Sequence, residues 1–138
     1  MLVREENIAS VIPQREPFIM VSNLLAATPD KFESDFVVNP QNIFVKDGIL
    51  QEAALIENMA QTCAAGFGFL NNKAGTEPMT GFIGAISKLK IYILPSINTK
   101  LNTKVVVTHR LENIFLVKGE VFQQGVLLAG CEMKIVVN

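Results

Sequence analysis

Hydrophobic and polar residues alternate along much of this chain, and one long stretch breaks the alternation. Residues 5–11 are spaced as a short helix, and residues 12–17, IPQREP, form a proline-punctuated loop. Residues 18–25, FIMVSNLL, read as a strand, and Pro29-Asp30 marks a turn. Residues 31–38 alternate, with Phe32, Phe36 and Val38 on one face and Glu33, Asp35 and Val37 on the other. Residues 39–48 read as a loop, with Asp47 the expected N-cap of the next element. Residues 50–70, LQEAALIENMAQTCAAGFGFL, predict a helix that fades between residues 66 and 72, and residues 72–79 predict an exposed loop. The second half reads as strand. Residues 80–93 set Lys88 and Lys90 opposite Leu89 and Ile91, residues 95–102 connect, and residues 104–110 are β-branched. Residues 115–122 and 126–137 flank Gln123-Gln124-Gly125, a hairpin signal. In the last strand Leu127, Ala129, Cys131, Met133, Ile135 and Val137 form an apolar face, opposite Glu132 and Lys134.

The helix is apolar round most of its circumference, so other structure should wrap it. It nevertheless carries Glu57, Asn58, Gln61 and Thr62, with Glu57 and Gln61 one turn apart on one face. A carboxylate among Ile56, Met59, Ala60 and Cys63 is costly to bury without a partner. Two readings stand. Glu57 is a structural acid, at the helix edge or hydrogen-bonded by Gln61 and Asn58, or it is a catalytic acid or base activated by apolar surroundings. One long helix and a largely antiparallel sheet bury each other only if the sheet curls round the helix. The expected fold class is therefore α+β, a single hotdog domain over residues 1–138 with a curved antiparallel sheet wrapped around one long apolar helix.

Composition sharpens this. Hydrophobic residues make up 49% of 138, and mean hydropathy is +0.33, so some apolar surface should lie in a subunit interface. The net charge of −1 argues against nucleic acid as a partner. No apolar run is long enough to span a bilayer, and MLVREENIAS lacks the apolar core of a secretory signal. Two cysteines at unrelated spacing read as buried reduced thiols, and a cytoplasmic location is expected. With one histidine and no Cys/His cluster, neither a metal site nor another cofactor is expected.

Three segments carry a resemblance. Residues 12–21, IPQREPFIMV, are similar to an "LPHRxPFLLVD" opening; residues 56–61, IENMAQ, to an "xELMAQ" helix; and residues 81–88, GFIGAISK, to an "FxGIxKxKF" strand followed by a proline turn, here at Pro95. These motifs belong to the hotdog 3-hydroxyacyl-ACP dehydratases, which act on acyl-carrier-protein (ACP) thioesters. The "DGxL" and "ELMAQT" pattern, here Asp47-Gly48-Ile49-Leu50 and residues 57–62, most resembles the dehydratase-like subfamily of aryl polyene and flexirubin pigment clusters. The order and spacing of the motifs match over nearly the whole chain. The resemblance implies Glu57 as the catalytic carboxylate, Gln61 orienting it, and Gln14, Asn58 and Gly84 binding or orienting the substrate. It also implies an acyl tunnel along the helix, a helix N-terminus facing the thioester carbonyl, and a homodimer or a hetero-oligomer with another hotdog subunit. ACPs are acidic, which makes Arg15, Lys88, Lys90 and Arg110 docking candidates; ordinary solvated charge is the alternative.

The chain departs from the pattern at two chemically important places. The family's "GHFPG" histidine has no counterpart in residues 39–45, NPQNIFV, and Gln14 replaces the "LPHR" histidine. Glutamine has no usable pKa and cannot be a general base. The lone His109 lies in a late strand and reads as structural or surface. Glu52, in the first turn of the helix, suits the helix dipole but would repel an anionic ligand there. The leading expectation is 3-hydroxyacyl-ACP dehydration with Glu57 alone. A catalytically reduced partner subunit that binds acyl thioesters comes second, and an acyl thioesterase third.

Overall fold

The computed structural model describes residues 1–75 and 81–137. A 3₁₀ helix, Glu5–Ser10, leads into an irregular segment and then strands β1 (Asn23–Ala27), β2 (Lys31–Val37), β3 (Val45–Lys46) and β4 (Ile49–Leu50). The long helix α1 is Glu52–Ala74, and β5 (Gly81–Ile91), β6 (Lys100–Leu111), β7 (Ile114–Gln123) and β8 (Val126–Val137) follow. Six strands form one antiparallel sheet in the order β1-β2-β6-β7-β8-β5, while β3 and β4 make a separate small hairpin. Phe32, Leu101, Val105, Val121 and Met133 from the sheet close over Leu55 and Met59 of α1. A second, smaller core joins Val3, Ile8, Val11, Ile12 and Leu24 to Ala65, so the N-terminal segment covers another side of the helix. This is the hotdog arrangement, and it explains why α1 can be apolar on several faces.

Four local expectations are corrected by tertiary context. Asp47 is not the helix N-cap. Asp47 and Gly48 have φ of 52° and 76° and form the two-residue turn of the β3–β4 hairpin, the use for which an Asp-Gly pair is suited. Gln51 holds the N-cap position with no side-chain cap, and its Nε2 donates instead to the Ile49 carbonyl at 2.9 Å. The strand expected at residues 18–25 starts only at Asn23, because the backbone of residues 18–20 is taken up by helix side chains. Along β5 the alternation fails. The register slips between Ile83 and Ala85 and between Ser87 and Lys90, and Lys88 has φ of 53°, so Lys88 and Lys90 do not form a simple shared face. A bulge between Val121 and Phe122 likewise brings Leu128 into the core and leaves Leu127 half-buried.

The helix also outlasts its expected end. It runs to Ala74 and closes at Gly75, whose φ is 69° and whose N–H returns to the carbonyls of Asn71 and Asn72. The expected loop at residues 72–79 is thus helical at its start, and residues 76–79 lie outside the described ones. Gly66 and Gly68 are contact points rather than breakers. A Cβ on Gly66 would lie 2.2 Å from the Phe32 ring, and one on Gly68 would lie 2.3 Å from the Val11 carbonyl oxygen. On the hairpin side, Gln124 and Gly125 have φ of 48° and 79°, the geometry that lets two residues join β7 to β8.

Two opposed effects meet at Gly66. Helix propensity alone favours Gly66→Ala by about 1 kcal/mol. Overpacking against the fully buried Phe32 ring costs about 1–3 kcal/mol, and more where the ring cannot move. Gly66→Ala is therefore expected to lower stability, read as a lower urea midpoint; a higher midpoint would mean that the helix does not rest on Phe32 in solution.

Candidate active site

Glu57 sits half-buried on the face of α1 that Ala60, Ala64, Phe67, Gly68 and Asn71 continue. Those positions recur at three- and four-residue spacing, so they form one stripe about 21 Å long. Beside the stripe lies a cavity of about 530 Å³. The N-terminal residues Val11 to Arg15 form another of its walls, and Phe82, Ile83, Ile135 and Val137 close it from the sheet. Small side chains on the helix leave the volume. Phe67, braced edge-on to Phe32 at 5.0 Å and tilted against Phe115 at 4.8 Å, makes a rigid aromatic part of the wall.

Gln61 determines how Glu57 is presented. Its Oε1 accepts the Met20 N–H at 2.6 Å, so its Nε2 must face the other way. That nitrogen donates to the Phe18 carbonyl and to Glu57 Oε2, each at 2.9 Å. The expected one-turn pairing of Gln61 with Glu57 is present, and the backbone of residues 18–20 sets its polarity. Asn58 does a parallel job on a deeper face. Its Nδ2 donates to the Met20 carbonyl at 2.7 Å, and its Oδ1 accepts from the Thr103 hydroxyl. Thr62 Oγ1 donates to the Asn58 carbonyl and also meets Ser34 Oγ, both at 2.7 Å. Asn58, Gln61 and Thr62 are fully buried. The sequence showed that polar groups belonged in this helix but not that they anchor the chain entering β1.

Gln14 and Arg15 lie in the same wall as Glu57. Arg15 Nη1 donates to the carbonyls of Ile12 and Gln14, each at 2.8 Å, which stiffens the loop. The other proposed residues are elsewhere. Gly84 lies at the first slip of β5, does not line the cavity, and has Val136 3.3 Å from where its Cβ would be. Lys88 pairs with Glu132 at 3.2 Å, and Lys88 and Lys90 together border a separate surface depression with Tyr92 and Lys118. Arg110 pairs with Asp30 at 3.2 Å and lies over the Phe115 ring. The four docking candidates thus do not form one patch: only Arg15 is at the cavity. The residues around the expected helix N-terminus, 51–55, do not line the cavity either. His109 is exposed on β6 with its Nδ1 3.2 Å from Thr108 Oγ1, outside the wall. Among the described residues no group of His, Cys, Asp and Glu could hold a metal ion, and no helix is long and apolar enough to cross a membrane.

The sequence model of the ApeP-like family, described as ApeP dehydratase, matches residues 6–138. The chain belongs to the ApeP-like dehydratase family. No curated protein matches this ApeP-like chain in sequence. Its fold is similar to that of a chain of the dehydratase heterocomplex ApeI:P from Xenorhabdus doucetiae, with a TM-score of 0.88, 14% identity, and coverage of 95% of this chain and 90% of that one. An uncharacterized protein from Pyrococcus horikoshii aligns with a TM-score of 0.72 at 13% identity, covering 94% of this chain and 92% of that one. Cj0977, a sigma28-regulated virulence protein from Campylobacter jejuni, aligns with a TM-score of 0.73 at 10% identity, covering 97% and 88%. At these identities the structural likenesses establish the hotdog fold alone.

The ApeP-like chain places Cys63 at the cavity wall and Cys131 behind it, with Cys131 Sγ 3.8 Å from Met59 Sδ. Burial, helped by the charge of Cys131, pushes the Cys63 thiol up to about 12. Burial and then Glu132 push Cys131 up to about 11. Both are therefore protonated and poor nucleophiles at neutral pH. In the unfolded chain they ionise near 9, so above that pH unfolding releases protons that the folded state retains. The thiol contribution to stability should be complete below pH 8 and fall as pH rises from 9 towards 11. The native protein should react slowly with a disulfide reagent at pH 7, and denaturant should release both thiols. Fast native labelling would mean that a thiol is reached in the folded chain, Cys63 from the cavity or Cys131 from the surface depression it borders.

Proposed function

We propose that this chain is a dehydratase-like hotdog subunit that takes 3-hydroxyacyl thioesters carried on ACP, with Glu57 as its catalytic group. One observation carries the reading: a carboxylate held in a fixed direction by Gln61, facing a 530 Å³ cavity with a largely apolar wall, in a member of this family. The volume suits an acyl chain laid along the helix stripe. The ionisable side chains in the wall are Arg15, Glu57 and Cys63, and the thiol is protonated, so Glu57 is the one available base there among the described residues.

The chemistry can run through that single carboxylate. Glu57 takes the proton alpha to the thioester carbonyl, and the electron pair moves towards the carbonyl. It then forms the carbon–carbon double bond as the beta carbon–oxygen bond breaks. The acid Glu57 now holds delivers the same proton to the departing hydroxyl, which leaves as water, and the carboxylate is restored. Proton pickup and delivery by one group require both to occur on one face of the chain. Gln61 donates to the carboxylate throughout and keeps it aimed.

Two observations favour work alongside a second hotdog subunit. No histidine lines the described cavity, because the chain's one histidine lies outside it. Among the described residues the edge strand β5 is unpaired on its outer side, with Phe82, Ile86 and Leu89 exposed. An edge-to-edge pair would cover it, and the Xenorhabdus relative is described as a heterocomplex. A reduced subunit that binds chains for an active companion is the second reading, and the missing histidine favours it. Hydrolysis, the third, would reveal itself by release of free thiol.

The test follows reversible hydration of acyl-ACPs by mass spectrometry, for the chain alone and with a co-purified hotdog partner. Glu57→Gln should lower turnover at least about 100-fold with acyl-ACP binding retained. Turnover unchanged by Glu57→Gln would move the chemistry to the partner and leave this chain as the binding subunit.

A further inference from the structure

Among the described residues, one buried side-chain polar atom lacks a hydrogen-bond partner: Gln14 Oε1. An acceptor held out of water without a donor is unfavourable, and native chains rarely tolerate one without a use for it. Gln14 belongs to the wall that Glu57 also lines. Its backbone is fixed, because Arg15 Nη1 binds the carbonyls of Ile12 and of Gln14 itself. The freedom left to it is in the side chain, whose last torsion is broad and can turn Oε1 into the cavity.

No donor in the described wall meets Gln14 Oε1. Arg15 Nη1 donates to the Ile12 and Gln14 carbonyls, Ser10 Oγ to the Asn7 carbonyl and Asn72 Nδ2 to the Ser10 carbonyl, while Ile12, Pro13, Ala60, Ala64 and Ile83 are apolar. A ligand can bring the donor. Within the acyl part, a thioester carbonyl and sulfur only accept, and a saturated or enoyl chain carries no donor. A 3-hydroxyl brings one O–H. Resting on the acyl-thioester reading of the Glu57 cavity, we infer that Gln14 is a specificity residue: its amide oxygen accepts the hydrogen bond of the substrate hydroxyl, so the cavity prefers hydroxylated chains to those without the hydroxyl. The geometry also serves the reaction. With its hydrogen engaged by Gln14, the hydroxyl oxygen turns its lone pairs towards Glu57, from which the proton comes. The enoyl product has no hydroxyl, loses this hold and leaves more readily.

The measurement compares the dissociation constants of 3-hydroxyoctanoyl and octanoyl pantetheine, each with an amide in place of the thioester so that neither is turned over. It uses the full chain, with its hotdog partner where the two co-purify. The wild-type protein should prefer the hydroxylated ligand by about five- to tenfold, the range of one net hydrogen bond. Gln14→Met should abolish that preference by weakening the hydroxylated ligand selectively, a split that general loosening of the loop would not produce. Gln14→Leu serves as a second variant if the first does not fold. Equal wild-type affinities, or a preference that survives both variants, would overturn the assignment. Equal weakening of both ligands would also overturn it, by placing the donor in the pantetheine amides that they share. Failure of both ligands to bind would remove the acyl-site reading itself.

Discussion

Two side-chain amides on α1 grip a segment that has no strand of its own. Asn58 and Gln61 together bind the carbonyls of Phe18 and Met20 and the Met20 N–H, from positions without solvent access. Buried backbone groups must be paired somewhere, and here the helix pairs them in place of a ladder. This holds the N-terminal segment along the helix, where residues 11–15 wall the cavity. The same grip orients Gln61, which can then offer only a donor to Glu57. Fold, cavity and carboxylate thus share one set of hydrogen bonds.

The cost of such a network is its dependence on completeness. A buried amide with all partners present is roughly neutral to modestly stabilising, whereas one that has lost a partner costs about 1–3 kcal/mol. The outer side of β2 follows the same logic. Asp35 belongs to the face that alternation marks as outward, yet it is buried: it accepts from the Asn23 N–H at 3.0 Å and from Asn23 Nδ2 at 2.8 Å, and Lys100 lies 3.4 Å away. Polar side chains at the start of β1 and β2 thereby take over the fixing of register that apolar packing does in β6 to β8. Gln14 is the exception in this set among the described residues, with a buried acceptor atom that meets no donor, and it lines the cavity with Glu57.

Much of the candidate site was legible because its central pair is local. Glu57 and Gln61 meet by helical spacing alone, and a carboxylate in an oily helix asks for a chemical explanation wherever the helix goes. The remainder of the wall was not legible. Ala60, Ala64 and Gly68 look like ordinary helix filler until the segment lying against them is known. Gly66 and Gly68 suggested a fading helix because a glycine's cost to a helix is local, while the close approach of Phe32 and Val11 that requires them is not. The basic residues were legible as charges but not as a patch, since β5, β6 and the residue-15 loop carry them to different places.

What the sequence by itself determined was the order of the long elements, the helix that must be wrapped, the apolar face of β8 from Ala129 onwards and the placement of an acid one turn from an amide. Each follows from periodicity, which reports whether a position is covered. Tertiary structure decided what covers it. It turned Asp47 from a cap into a hairpin residue, cancelled the first expected strand in favour of side-chain partners, bulged β5 through Lys88 and fixed which end of Gln61 faces Glu57. The physical reason is common to all but Asp47, whose Asp-Gly turn is a local signal. A hydrogen bond or a close contact between residues 40 positions apart leaves no periodic trace in either segment, because its energy depends on a partner that only the folded chain brings within reach.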